Sequence, residues 1–267
     1  MTHPDDVVSF GPDVAGIGAR AAGQVRIAFR SFMRGPGSIH RERSMTLISG
    51  EPHPLGNVAV VDDPDDLEIA EEAIAPLLAA GHPSAVLFPY GVTPRVAAAV
   101  AGLGFDVDAT MPAMAVDIAQ MAMTSLPAGY EWARVGVDGD GAWAGALAAG
   151  YEIPLPLARM FGPATLGADM APDAQTQFFA VLRDGQPVST SMLYLADGLA
   201  GIYCVATLPE ERGKGLGAHA TAEALRIAQG LGYRVGVLQS SPAGHPVYLR
   251  LGFGDYATVP MFVRVPG

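Results

Sequence analysis

The stretch Thr207-Leu208-Pro209-Glu210-Glu211-Arg212-Gly213-Lys214-Gly215-Leu216-Gly217 decides how this chain is read. Before it lies a strand-like run, Leu199–Thr207 (LAGIYCVAT). After it, Leu216, Ala220, Ala224, Ile227 and Leu231 recur at helical spacing, and Gly230 and Gly232 end the pattern. A loop that opens a helix adds its own N–H groups to the unsatisfied donors of the first turn. Glycine lets those groups approach an anion closely and adopt backbone angles that other residues resist. The helix dipole puts partial positive charge at the same point, and Arg212 and Lys214 add two formal charges. Residues 212–218, from Arg212 through Gly213, Lys214, Gly215, Leu216 and Gly217 to Ala218, therefore suit a diphosphate.

Other anion loops fit less well. The P-loop requires Gly, four residues and then Gly-Lys-Ser/Thr, which is absent. The dinucleotide pattern G-x-G-x-x-G/A is met in form by Gly213, Gly215 and Ala218. It should follow its strand directly and be answered by an acid about 20 residues later. Here Leu-Pro-Glu-Glu-Arg intervenes, and residues 237–241 hold no acid. The same pattern recurs at Gly16, Gly18 and Ala21, so it discriminates poorly. A glycine-rich turn of purely structural purpose is the plainest alternative.

The chain has 267 residues, half of them apolar and 16% charged, enough for two cored domains. A net charge of -11 argues against a nucleic-acid partner. From residue 200 onward, however, six bases face four acids, so an anionic ligand suits the last quarter best. Lys214 is the only lysine. Cys204 is the only cysteine, which rules out an intrachain disulfide and suits a reducing, cytoplasmic setting. The opening MTHPDDVVSF lacks a basic and an apolar region, so no leader is expected, and no apolar run is long enough to predict a membrane span.

An internal echo organises the chain. Leu103-Gly104-Phe105 is followed by Ala109-Thr110 and Pro112; Leu251-Gly252-Phe253 is followed by Ala257-Thr258 and Pro260. The constant offset is close to a domain length and suggests tandem duplication, with a boundary in the polar stretch 123–129. Domains 1–122 and 123–267 follow. In the second, strands over 177–183, 187–195 and 199–207 are joined by the hairpin signals Asp184-Gly185 and Asp197-Gly198. A strand over 233–239, a short helix over 246–251 and a strand over 256–265 complete it. The first domain reads as helices over 16–34, 67–80 (interrupted by Pro76) and 96–103, with strands over 57–61 and 85–88. The fold class is α+β.

The segment TLPEERGKGLG resembles the acetyl-CoA-binding motif Arg/Gln-x-x-Gly-x-Gly/Ala of the GCN5-related N-acetyltransferase (GNAT) family, on Arg212, Gly215 and Gly217. The family's later motif, Asn-x-x-Ala-x-x-x-Tyr followed by Gly-Phe, has a counterpart in Tyr248 and Gly252-Phe253, with Ser241 in place of Asn and Gly244 in place of Ala. The order of elements also matches over roughly residues 125–267. The resemblance implies two GNAT-like domains, each a mixed, mostly antiparallel sheet flanked by helices.

It further implies an acetyl-CoA-dependent N-acetyltransferase that needs no metal. The pyrophosphate would sit on the N–H groups of Gly213, Gly215, Gly217 and Ala218, and the pantetheine arm would pair with the strand around Val205 and Thr207. An amine of a small molecule or peptide would attack the thioester directly, and Tyr248 would protonate the departing thiolate. Tyr203, His245 or water are the candidate bases, because the strand 199–207 holds no acid. His219 lies near the helix start; Cys204 looks apolar in its surroundings. In the first domain the stretch after the strand 57–61 reads Asp62-Asp63-Pro64-Asp65-Asp66, which would repel a diphosphate, so only the second domain is expected to bind CoA. The acceptor cleft is expected at the domain junction. A non-catalytic acyl-CoA-binding regulatory module is the alternative; a nicotinamide-dependent oxidoreductase is a third reading. A monomer and a homodimer both fit the sequence.

Overall fold

A computed structural model describes residues 14–266. Residues 1–10, on which the reading of no leader rests, lie outside the described residues. The elements are, in order, α1 (Val14–Phe32), β1 (Ser38–His40), β2 (Ser44–Ile48), β3 (Asn57–Val61), α2 (Leu67–Ala80), β4 (Ser84–Leu87), α3 (Pro94–Gly102) and β5 (Asp106–Asp117). They continue with β6 (Tyr130–Val135), α4 (Asp140–Tyr151), α5 (Leu155–Met160), β7 (Thr176–Arg183), β8 (Gln186–Ala196) and β9 (Leu199–Thr207). The last are α6 (Leu216–Gly230), β10 (Val235–Gln239), α7 (His245–Leu251) and β11 (Gly254–Arg264).

The described residues divide into two compact units, 18–113 with 255–266, and 14–17 with 114–254. In the first, the strand order is β1-β2-β3-β4-β11-β5. β1, β2 and β3 are antiparallel, β3 and β4 parallel, and β11 runs antiparallel to β4 from Met261↔Leu87 to Arg264↔Ser84. Ile74, Leu77, Phe88, Phe105 and Phe262 fill its core. In the second unit the order is β5-β10-β9-β8-β7-β6, with β6 to β9 antiparallel and β9 parallel to β10. Its core holds Met114, Phe179, Leu193, Ile202, Leu225 and Phe253. In each unit the pairing is mixed and mostly antiparallel.

The two echoing segments each lead from a helix into a strand, β5 and β11, and Gly104 and Gly252 both turn there with positive φ (85° and 101°). Each strand is sorted by its neighbours rather than by its place in the chain. β11 follows α7 in sequence yet pairs with β4, and Met114–Asp117 of β5 lies in the unit that contains β10. The compact units therefore differ from the expected division at 122/123.

Local chemistry accounts for most element ends. The hairpins at Asp184-Gly185 and Asp197-Gly198 have φ of 52° and 75°, and 52° and 70°, the paired left-handed angles of a type I′ turn. α2 is capped by Asp66, whose carboxylate accepts from Ile69 N, and ends at Gly81. It is not interrupted at Pro76, as its sequence suggests, but runs on to Ala80. Ala70, Ala73, Ile74 and Leu77 are buried along it, and Thr46 Oγ1 donates to the Ala73 carbonyl (2.8 Å), next to the Glu72 carbonyl that Pro76 leaves without its helical donor. Among the described residues no helix is long and apolar enough to cross a membrane.

Candidate active site

The site begins with an irregularity in β9. Its register with β8 runs from Ala196↔Leu199 to Met192↔Tyr203 and resumes at Thr190↔Ala206, so β9 bulges at Cys204-Val205. Cys204 has φ 52°, a conformation a side-chain-bearing residue seldom adopts, and Thr190 Oγ1 holds its carbonyl at 2.7 Å. On the other side, β10 pairs with β9 only through Gly236↔Ala200 and Val237↔Gly201. β9 continues past that pairing to Thr207, so the stretch holding Val205 and Thr207 forms a strand edge inside the sheet. Such an edge can take an extended ligand as an added strand.

The glycine loop stands at the end of this edge. Gly213 and Gly215 have φ 81° and 80°, with nothing within 4 Å of where a Cβ would be. Gly215 N-caps α6, and the first N–H to find a partner in the helix is that of His219, which donates to the Gly215 carbonyl (3.0 Å). Among the described residues no acceptor is paired with the N–H groups of Gly213, Gly215, Gly217 or Ala218. Four donors thus collect at a helix N-terminus. Gly217 brings this first turn onto β9: a Cβ there would lie 3.4 Å from Thr207 Oγ1 and 3.5 Å from Val205 Cγ1.

The two bases of the loop are engaged with the protein. Arg212 Nη2 donates to the Gly150 carbonyl (2.8 Å) at the end of α4, and its Nε to the Thr207 carbonyl (3.3 Å). Lys214 Nζ donates to Glu211 Oε2 (2.6 Å) and to the Tyr130 hydroxyl (3.1 Å). Glu211 is buried and also accepts from Tyr130 (2.5 Å) and from Arg183 Nη1 (2.7 Å). These donors, Lys214 first and Tyr130 next, hold its carboxyl down at about 2.

Tyr248 lies buried on α7, edge-on to Phe253 at 5.8 Å. Burial pushes its hydroxyl up to about 12, so it keeps its proton. Tyr151 closes α4 with its ring partly exposed but its hydroxyl beside the backbone of Val205, near Cys204 and Tyr248; desolvation of that hydroxyl, above all, raises it well beyond the ordinary phenol value. Burial also raises Tyr203, and pushes the Cys204 thiol up to about 12, which leaves it an un-ionised and poor nucleophile. Ser241 is exposed at the start of the turn into α7, where its hydroxyl accepts from Gly244 N (3.2 Å). His219 is buried against Thr124 Oγ1 (3.2 Å), and its pKa is lowered by desolvation, so it is turned to the protein rather than to the loop's open donors. Among the described residues no group of three His, Cys, Asp or Glu side chains is arranged to hold a metal.

The corresponding place in the other unit, between β3 and α2, is filled by its own carboxylates. Asp62 accepts from Arg26 Nε (2.5 Å), and burial raises its pKa despite Arg26 and Arg30. Asp63 accepts from the N–H groups of Asp65 (2.9 Å) and Asp66 (3.0 Å) and pairs with Arg43, while Asp66 caps the helix. N–H groups like those left open at α6 thus have internal acceptors at α2.

Tyr151, Tyr130, Arg183 and Glu211 carry no motif that singles them out. Only Glu211 gives a signal in sequence, an acid set against the basic positions of an anion loop.

Residues 149–253 match the Acetyltransferase (GNAT) family. No curated protein matches the chain. Among solved structures, a GCN5-related N-acetyltransferase from Kribbella flavida is 22% identical and superposes with a TM-score of 0.64, covering 97% of each chain. One from Sphaerobacter thermophilus is 14% identical, with a TM-score of 0.59 over 98% of this chain and 96% of the other. A tandem GNAT protein from the clavulanic acid biosynthesis pathway is 15% identical, with a TM-score of 0.55 over 96% of both. The segment 149–253, which holds α6, the bulged β9 and Tyr248, is thus the part that matches the GNAT family, and the fold of the GNAT structures extends over nearly the whole chain.

Proposed function

We propose that the chain is an acetyl-CoA-dependent N-acetyltransferase acting on an amine of a small molecule or peptide in the cytoplasm. One observation carries this reading: the β9 edge at Val205 and Thr207, left beyond the β10 pairing, ends at the four open N–H groups of residues 213–218. An extended thiol arm with a diphosphate at its far end matches both parts at once.

In this reading the diphosphate takes the N–H groups of Gly213, Gly215, Gly217 and Ala218, and the pantetheine arm pairs along Val205 and Thr207. The amine nitrogen attacks the thioester carbonyl carbon and the C–S bond breaks. Tyr248, held protonated by burial, delivers its proton to the departing sulfur, so the products are the amide and free CoA thiol. The amine's own proton leaves through His245 or water. Tyr203 is a poor base because burial keeps its proton in place. The unit containing α2 is read as a duplicate that lost its anion loop, and the reaction calls for neither nucleic acid nor membrane.

Release of CoA thiol from acetyl-CoA, followed against a panel of amines, tests this. Turnover with any amine supports it. Binding without turnover favours the second reading, an acyl-CoA-binding regulatory module, which the absence of an acid on β9 supports.

A further inference from the structure

We infer that Glu211 is a positioning residue of the cofactor loop: its carboxylate ties Lys214 to Tyr130 and Arg183, fixes the backbone of residues 213–217, and withdraws the Lys214 ammonium from anion binding. The inference rests on the acetyl-CoA reading of that loop.

A carboxylate beside a diphosphate site is costly, because like charges repel strongly where water is scarce. Yet the Glu211 side chain is only 6% exposed and stands immediately before the loop. Both of its oxygens are used: Oε1 by Arg183 (2.7 Å), Oε2 by Tyr130 (2.5 Å) and Lys214 (2.6 Å). Charge-assisted bonds of this kind are the stronger class. The anchor is rigid, since Tyr130 and Arg183 are cross-strand partners at the β6–β7 pairing. Arg183 and Lys214 also both stand 5.8 Å from the Tyr130 ring centre.

The bond from Lys214 to Glu211 bridges Gly213, the first residue of the loop with a left-handed backbone. Residues 213–217 hold three glycines, the residue that loses most freedom on ordering. A loop stapled at this point meets its ligand already ordered, whereas an untied one must pay that entropy on binding. Two cations on the one buried carboxylate offset its charge beside the loop.

The rival role for Lys214, a direct phosphate contact, predicts the opposite sign. Glu211→Gln would then release the ammonium and tighten binding. Calorimetric titration of acetyl-CoA into wild type, Glu211→Gln, Lys214→Met, the double variant and Tyr130→Phe separates the two roles. Glu211→Gln should weaken binding at least about tenfold, the loss of one such bond, and kcat at saturating acetyl-CoA should stay near wild type. Lys214→Met should cost a similar factor, and the double variant little more than either alone. Tyr130→Phe keeps both cations on Glu211 and should weaken binding several-fold; it serves if Glu211→Gln does not fold. Unchanged or tighter binding in Glu211→Gln, or in Tyr130→Phe where the former fails to fold, overturns the inference. Wild-type protein that binds no acetyl-CoA overturns the reading of the loop, and the inference with it.

Discussion

Gly150, in the last turn of α4, abuts Ala206 on β9 so closely that a Cβ would stand 2.8 Å from Ala206 Cβ and 3.0 Å from Thr207 N. Arg212 fastens the same point, donating from Nη2 to the Gly150 carbonyl. The helix that carries Tyr151 is thereby fixed to the strand that carries Cys204 and Val205, and the loop is fixed to both.

A Gly150→Val substitution should therefore push α4 off β9. Overpacking of this kind costs about 1–3 kcal/mol. We expect a lower thermal midpoint by scanning calorimetry. A midpoint equal to wild type would contradict the close approach.

Tyr248→Phe should retain acetyl-CoA affinity and lose roughly 10²- to 10⁴-fold in kcat, the range for a general acid. Because burial raises the hydroxyl to about 12, its loss of proton should not limit kcat anywhere between neutral pH and moderately alkaline pH. Wild-type turnover in the variant would remove Tyr248 from the acid role.

Glu211 predicts a pH dependence of stability. Its carboxyl is held at about 2, against an ordinary value of 4.5, so the folded state favours the ionised form. The stability this confers is present above the ordinary value and is lost as pH falls from there toward 2. Urea midpoints should accordingly drop more steeply over that window in wild type than in Glu211→Gln. Parallel slopes would contradict the assignment.

Acetyl-CoA should bind once per chain, because the N-terminus of α2 is already capped by Asp66 and crowded by Asp63 and Asp65. Calorimetric stoichiometry measures this directly; two equivalents per chain would contradict a single site.

The sequence is most transparent where local chemistry alone decides structure. β9 and α6 have the bounds their spacing predicts, and both Asp-Gly hairpins form, because turn residues and apolar period act over a few neighbours. α4 escapes such reading because Gly141, Gly145 and Gly150 dilute its helical signal; burial of Trp143, with its Nε1 on the Phe179 carbonyl (2.9 Å), stabilises it instead. β6 is half-exposed and lacks a clean alternation. The placement of β5 and β11 is invisible locally, since a strand's own residues do not say which neighbour it will join. Glu211 gains its role only when Tyr130 and Arg183, distant in sequence, close over it. Tyr151 has no motif, and only the approach of Gly150 to β9 brings it to the site.

Whether the loop of residues 212–218 holds the CoA diphosphate is decided by titrating acetyl-CoA into wild type and Gly215→Glu. Position 215 has open space for a side chain but a left-handed backbone, φ 80°, and the added carboxylate would face the anion. Wild type should bind saturably and the variant not measurably while its fold is kept, as judged by circular dichroism. Equal binding by the two proteins would contradict it.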